Sequence, residues 1–147
     1  MIKRVLVTDN LAPEGVELLR AMPGLEVIVR PRMSPEELRE AIADVHALVV
    51  RSATTVDAQA IEAARRLEVI GRAGTGVDNI DLQAATRRGV VVMNAPEANA
   101  LSTAEHTISL LLALARNVPQ ACASLKAGRW EKKRFLGSEV FGKTLGI

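Results

Sequence analysis

Leu67-Glu68-Val69-Ile70-Gly71-Arg72-Ala73-Gly74-Thr75-Gly76-Val77-Asp78-Asn79-Ile80-Asp81, followed by Leu82 to Arg88, Gly89 and Val90-Val91-Val92-Met93, reads as one strand–turn–helix–strand unit. Both apolar runs are short, β-branched and nearly continuous, the pattern of strands covered on both faces. Asp81 is a helix-opening residue and Gly89 a helix-closing one. Two strands joined through a helix pair in parallel, with the crossover right-handed.

The same alternation extends upstream. Val5-Leu6-Val7, Leu25-Glu26-Val27-Ile28-Val29 and Ala47-Leu48-Val49-Val50 are further strand candidates. Glu14 to Ala21 follows Pro13. Ser34-Pro35-Glu36-Glu37 combines an N-cap, a first-turn proline and a capping-box glutamate, and Asp57 opens Ala58 to Arg65. The order β-α-β-α-β-α-β-α-β predicts an α/β domain over residues 1–98, a flavodoxin-like open parallel sheet with helices on both faces. Residues 99–147 differ. Ser102-Thr103-Ala104-Glu105 reads as a second capping box ahead of a helix apolar nearly all round, Ile108 to Ala115. Such helices are buried on several sides, in a domain junction or a subunit interface. A basic, aromatic arm spans Lys126 to Phe141. Gly142 to Ile147 reads as a turn and the first half of a strand, so the chain is expected to be a fragment.

Of the 147 residues 48% are hydrophobic and 24% charged, with a net charge of +2. That balance points away from nucleic-acid and membrane partners. Aromatic residues make up only 2%, and Trp130, Phe135 and Phe141 all lie in the arm, so the body has an aliphatic core. Residues 1–125 carry 13 basic and 15 acidic side chains, whereas residues 126–147 carry 6 and 2. Cys122 is the single cysteine, which leaves no intramolecular disulfide and no cysteine-rich metal site. The longest apolar stretch is too short to span a bilayer. No secretory signal pattern opens the chain, and a cytoplasmic location is expected.

Ligands of open α/β sheets bind beyond the carboxyl ends of the strands. Three loops fall there: Arg51-Ser52-Ala53-Thr54, Arg72 to Asn79, and Asn94 to Asn99. Arginine offers a fork of donors matched to carboxylate and phosphate, and a glycine-rich turn lets backbone amides come close. These loops predict an anion site for a small acid or phosphoacid. The alternative is that the arginines only solvate strand ends or pair with nearby carboxylates. Gly71, Gly74 and Gly76 do not complete Gly-x-Gly-x-x-Gly, because position 79 is Asn, so the loop is no pyrophosphate cradle. His46 and His106 read as packed or capping residues, Cys122 as a small buried apolar group, and Lys132-Lys133-Arg134 as a solvated face. Trp130 is either an exposed loop residue or an interface anchor, and the enrichment of Trp at interfaces favours the anchor.

Arg51-Ser52-Ala53-Thr54, Gly71 to Asn79, Asn94-Ala95-Pro96 and Gly142-Lys143-Thr144-Leu145-Gly146-Ile147 together resemble the D-2-hydroxyacid dehydrogenase family. The resemblance runs through the whole chain, and the nine residues Gly71 to Asn79 are its most specific part. It implies a substrate domain at 1–98 completed by a C-terminal return, with residues 99–147 starting a Rossmann NAD domain. It implies that Arg51, Ser52, Arg72, Ala73, Gly74 and Asn94 hold the substrate, that Thr75 touches NAD, and that Leu111, Leu114 and Trp130 form a homodimer contact. The expected substrate is a small anionic metabolite, 3-phosphoglycerate, with glycerate, hydroxypyruvate or lactate as alternatives. By the same resemblance, the catalytic residues and most of the NAD site lie downstream of Ile147, and the chain alone is expected to be inactive. A reading from another class is a non-catalytic anion-binding or dimerisation module.

Overall fold

The computed structural model describes residues 2–147, which divide into two units, residues 2–99 and 100–147. The first unit runs β1 (Lys3–Thr8), α1 (Pro13–Arg20), β2 (Leu25–Arg30), α2 (Pro35–Ile42), β3 (Ala47–Val50), α3 (Ala58–Ala63), β4 (Val69–Arg72), α4 (Leu82–Arg88) and β5 (Val91–Asn94). All four strand pairings are parallel, in the order β2-β1-β3-β4-β5. This is the expected open α/β sheet in the flavodoxin order. The chain moves outward from β1 to β2 and then crosses back to β3, so the order reverses between β1 and β3. At such a switch point the connections leave on opposite faces and open a crevice at the carboxyl ends.

Register aligns side chains into rows across the sheet. Ile28, Leu6, Leu48, Ile70 and Val92 form one row. It packs in the main core with Leu38 and Ile42 of α2, Ile61 of α3 and Ala84 and Ala85 of α4. On the other face, Val5 and Val7 pack against Val16 of α1, with Leu19, Val27, Ala47 and Val49 beside them. That face thins toward β5, where Val91 and Met93 are 57% and 59% exposed.

The helix ends follow the sequence signals. Ser34 Oγ accepts from the Glu37 amide at 3.2 Å while the Ser34 amide donates to Glu37 Oε2 at 2.7 Å, a reciprocal capping box. Asp57 and Asp81 accept from the amides of Ala60 and Ala84 at 2.8 and 2.9 Å. Gly89 closes α4 with φ 68°, a left-handed conformation that suits glycine. The strands, however, run past the apolar letters. Gly71 and Arg72 stay in β4 because they pair with Val49 and Val50, and Asn94 stays in β5 opposite Arg72.

In the second unit, α5 spans Ala100–Ala115, two residues earlier than the expected cap, so Ser102 lies inside the helix rather than ahead of it. The expectation of a helix buried on several sides is not met within this chain. None of its residues is buried, and Ile108, Leu110, Leu112 and Leu114 are all exposed. A helix unforeseen in the sequence, α6 (Val118–Lys126), follows at once. Asn117 makes the break with φ 52°, and Pro119 occupies the first turn, where its missing N–H costs nothing. Among the described residues no single helix is long and apolar enough to cross a membrane, and α5 and α6 are bent by 64°.

The arm is tied back onto these helices. The Ser138 amide donates to the Ala115 carbonyl at 2.8 Å, and Asn117 Nδ2 to the Leu136 carbonyl at 3.3 Å. The buried Ser124 hydroxyl donates to Glu131 Oε2 at 2.7 Å. The expected strand start at 143–147 carries no ladder in the structure, which is consistent with there being no neighbouring strand to pair with it.

The Ser124 hydroxyl first, then Arg134 and Arg129, hold the Glu131 carboxyl below its usual 4.5. A depressed carboxylate stabilises the folded arm above the unfolded value and loses that effect as pH falls through the lower folded one. Fluorescence of the adjacent Trp130, the only tryptophan, should therefore hold steady above about pH 4.5 and change below it, with the step abolished in Glu131→Gln. An identical acid transition in the variant would contradict this assignment.

Candidate functional site

Beyond the carboxyl ends of β1, β3 and β4 the backbone leaves the sheet, and its polar groups need new partners. Two side chains supply them. Asp9, directly after β1, is only 7% exposed and sits at φ 59°. Its Oδ2 accepts from the Arg51 amide at 2.7 Å and the Thr54 amide at 3.3 Å, and its Oδ1 accepts from the Thr54 hydroxyl at 2.6 Å. Asn79 works from the other side. Its Nδ2 donates to the carbonyls of Arg51 and Thr54 at 2.7 and 2.6 Å, while its Oδ1 accepts from Arg72 Nε at 2.8 Å. The Asn79 backbone is itself fixed, its carbonyl accepting from the Val56 amide at 2.8 Å beside the Val56–Ile80 bridge.

Arg51 and Arg72 thus meet across one side-chain amide at one edge of the sheet, but their guanidinium groups are placed differently. Arg51 is exposed; Nη1 donates to the Asn10 carbonyl at 3.2 Å, and among the described residues no carboxylate pairs with it. The Arg72 side chain is 10% exposed, held by Asn79 and 3.6 Å from Asp78 Oδ1. It therefore matches, in part, the alternative in which an arginine is neutralised locally. The glycine loop closes over it. A Cβ on Gly74 would stand 2.9 Å from Arg72 Nη1, and one on Gly76 would stand 2.8 Å from Asp78 Oδ1. The close contacts at these two glycines are with side-chain ends, the exposed Asp78 carboxylate being free to shift and the held Arg72 guanidinium less so, and neither glycine has positive φ. Nothing lies within 4 Å of a Cβ on Gly71.

The next loop locks onto this one. Asn94 Nδ2 donates to the Thr75 carbonyl at 2.6 Å, and the Thr75 hydroxyl donates to Asn99 Oδ1 at 2.8 Å. The amides of Ala73 and Ala95 reach the carbonyls of Val50 and Gly74 at 2.8 and 3.0 Å. Ser52, Ala53, Thr75 and Asn94 therefore lie with Arg51, Arg72, Ala73 and Gly74 on one connected rim. Leu111, Leu114 and Trp130 belong to the other unit, where Leu111 is half-buried and Leu114 and Trp130 are 77% and 79% exposed.

Neither histidine shares a hydrogen bond with the rim residues among the described contacts. His46 Nδ1 accepts from the Arg4 amide at 3.1 Å, a capping role, and His106 is exposed on α5. Cys122 is exposed rather than buried, a correction to its reading as a packed apolar group. It lines a groove of about 440 Å³ with Trp130 and Phe135, because α6 turns that face outward. Among the described residues no cluster of His, Cys, Asp or Glu could hold a metal ion.

Sequence reasoning missed Asp9 as a site residue and placed Asn79 in the candidate loop without giving its side chain a role. The available signal was position: an acid at the carboxyl end of the first strand, and an amide closing a glycine loop.

The chain belongs to the family of D-isomer specific 2-hydroxyacid dehydrogenases, whose catalytic-domain model matches residues 5–139. It is 54% identical over 144 residues to a D-3-phosphoglycerate dehydrogenase of Archaeoglobus fulgidus, covering 98% of this chain and 27% of that protein. It is 51% identical over 146 residues to the human D-3-phosphoglycerate dehydrogenase, with coverage of 99% and 27%. The crystal structure of NAD+-bound 3-phosphoglycerate dehydrogenase from Entamoeba histolytica superposes with a TM-score of 0.70 at 30% identity, covering 79% of this chain and 40% of that one. The chain thus spans about a quarter of the length of the curated relatives it matches.

The expected absence of a pyrophosphate cradle concerns the glycine loop alone. The glycine loop lacks the fingerprint, the start of α4 is already capped by Asp81, and the Thr75 hydroxyl is engaged with Asn99.

Gly74→Ala should displace the Arg72 guanidinium, break its bond to Asn79 and destabilise the first unit by about 1–2 kcal/mol, whereas Gly71→Ala should change stability by less than about 0.5 kcal/mol. Urea unfolding of the two variants checks this, and equal effects would contradict the steric account.

Proposed function

We propose that the first unit is the acid-holding part of an NAD-dependent dehydrogenase that oxidises the hydroxyl of 3-phosphoglycerate to give 3-phosphohydroxypyruvate, in L-serine biosynthesis. The observation that carries this reading is the exposed, carboxylate-free Arg51 at the edge where β1 and β3 diverge. It agrees with the names of the relatives at 54% and 51% identity.

The division of labour follows from the geometry. Arg51 supplies a mobile fork of donors for a carboxylate or phosphate. Beside it, the amides of Ser52 and Ala53 have no backbone acceptor among the described residues, so they can donate to the same anion. Arg72 contributes fixed positive charge from beneath Gly74 and Gly76 and keeps their loop in shape. Ala73 and Gly74 bring backbone close to the ligand, and Asn94 holds Thr75 from the neighbouring loop. NAD supplies the hydride acceptor in this reading, with Thr75 of the glycine loop touching it. Exposed Leu114 and half-buried Leu111 of α5, with exposed Trp130 of the arm, serve a homodimer contact in this reading.

Within the first unit the histidine, His46, accepts from the Arg4 amide, and in this reading that unit does not supply the acid–base pair of the reaction. One assay, following NADH absorbance with 3-phosphoglycerate and NAD, tests both parts of the proposal. The full-length protein should turn over, and its Arg51→Ala variant should show a KM for 3-phosphoglycerate raised about tenfold or more. The isolated 147-residue chain should give no sustained signal. An unchanged KM in the variant would refute the role given to Arg51, turnover of glycerate in place of 3-phosphoglycerate would move the assignment to an unphosphorylated acid, and turnover by the isolated chain would refute the division of labour.

A further inference from the structure

We infer that Asp9 is a positioning residue for the acid-binding loop, acting on substrate affinity through the backbone of Arg51 and Thr54 and not by touching the substrate. The inference rests on the functional reading above and adds to it a residue that reading does not use.

Three observations carry it. The first is how the loop's amides are shared out. In Arg51-Ser52-Ala53-Thr54, the outer two amides point inward to a single Asp9 oxygen, at 2.7 and 3.3 Å. The inner two, of Ser52 and Ala53, have no backbone acceptor among the described residues. One carboxylate therefore decides which N–H groups are consumed by the fold and which remain for a ligand. The second is burial. A carboxylate only 7% exposed is costly unless its oxygens are satisfied, and here three donors from one four-residue loop satisfy them. The loop cannot swing away without stranding that charge. The third is the backbone. Asp9 holds φ 59°, a conformation in which Asp and Asn are enriched and most other side chains are strained. That conformation follows directly on β1, at the strand edge where the sheet order reverses, and it is compatible with a side chain reaching across to β3.

Asn79 completes the brace from the opposite polarity. It donates to the carbonyls of the same two residues, Arg51 and Thr54, whose amides Asp9 receives. The loop is pinned at both ends by both kinds of backbone group, and its middle is left free.

Substitutions at position 9 can separate conformation from bracing. Asp9→Gly adopts φ 59° without strain but removes every bond to the loop. Asp9→Asn keeps shape and conformation. Its carbonyl oxygen can take both amides, and the Thr54 hydroxyl can turn to accept from the new NH₂. In the full-length protein, Asp9→Gly should raise the KM for 3-phosphoglycerate about tenfold while leaving the KM for NAD within about twofold, and Asp9→Asn should recover most of that loss. Thermal unfolding of each variant runs alongside, and hydrogen exchange of the Arg51 and Thr54 amides should quicken in Asp9→Gly. An unchanged KM for the acid in Asp9→Gly, or acid and NAD constants rising in step, would overturn the positioning role. A wild-type protein that fails to oxidise 3-phosphoglycerate would overturn the functional reading and this inference with it, an outcome visible before any substitution is made.

Discussion

The ends of β1, β3 and β4 are held at one height by side chains, because their backbones can no longer pair with one another. Asp9 takes amides, Asn79 feeds carbonyls, and the Arg72 guanidinium fills the space between Asn79 and the glycine turn. The contacts of Asp9 and Asn79 with the 51–54 loop satisfy backbone groups that no neighbouring strand pairs. Leaving such buried groups unpaired would cost about 1–3 kcal/mol apiece. The exposed Arg51 depends on this arrangement. Its backbone is fixed by Asp9 and Asn79, so its guanidinium is carried on a rigid base at the mouth of the switch point.

The same constraint explains why two neighbouring arginines, alike as letters, are not alike in place. Arg72 ends a strand paired on both sides, and the loop folds back over its guanidinium. Arg51 ends β3 and enters a loop whose interior is already occupied by Asp9, so its side chain has nowhere to go but outward. One arginine keeps its donors for the fold, and the other, in the proposed reading, has them available for a ligand. The family to which the chain belongs provides the chemistry such an offer would serve.

The sheet is readable from the letters because its central strands are covered on both faces, and Val, Ile and Leu at consecutive positions have few other uses. The caps at Ser34, Asp57, Asp81 and Gly89 were readable because each is a local hydrogen bond or a local torsion. What escaped depends on distant partners. β4 runs on into Gly71 and Arg72 only because Val49 and Val50 lie alongside. α6 was hidden by Asn117 and Pro119, which look like the end of one helix and are also the start of the next. At the site, the three loops could be named from topology alone. The roles of Asp9 and Asn79 could not, since both reach across 25 or more positions of sequence to their partners at 51 and 54.

Amide chemical shifts of the isotopically labelled 147-residue chain, recorded as 3-phosphoglycerate is added, test the central claim most directly. The account predicts that the largest movements fall on Ser52, Ala53 and the Arg72 to Gly76 loop, with the basic Lys132-Lys133-Arg134 segment unmoved. Shifts confined to that basic segment, or spread evenly over exposed cations, would show that the carboxyl edge of the sheet is not where the anion is held.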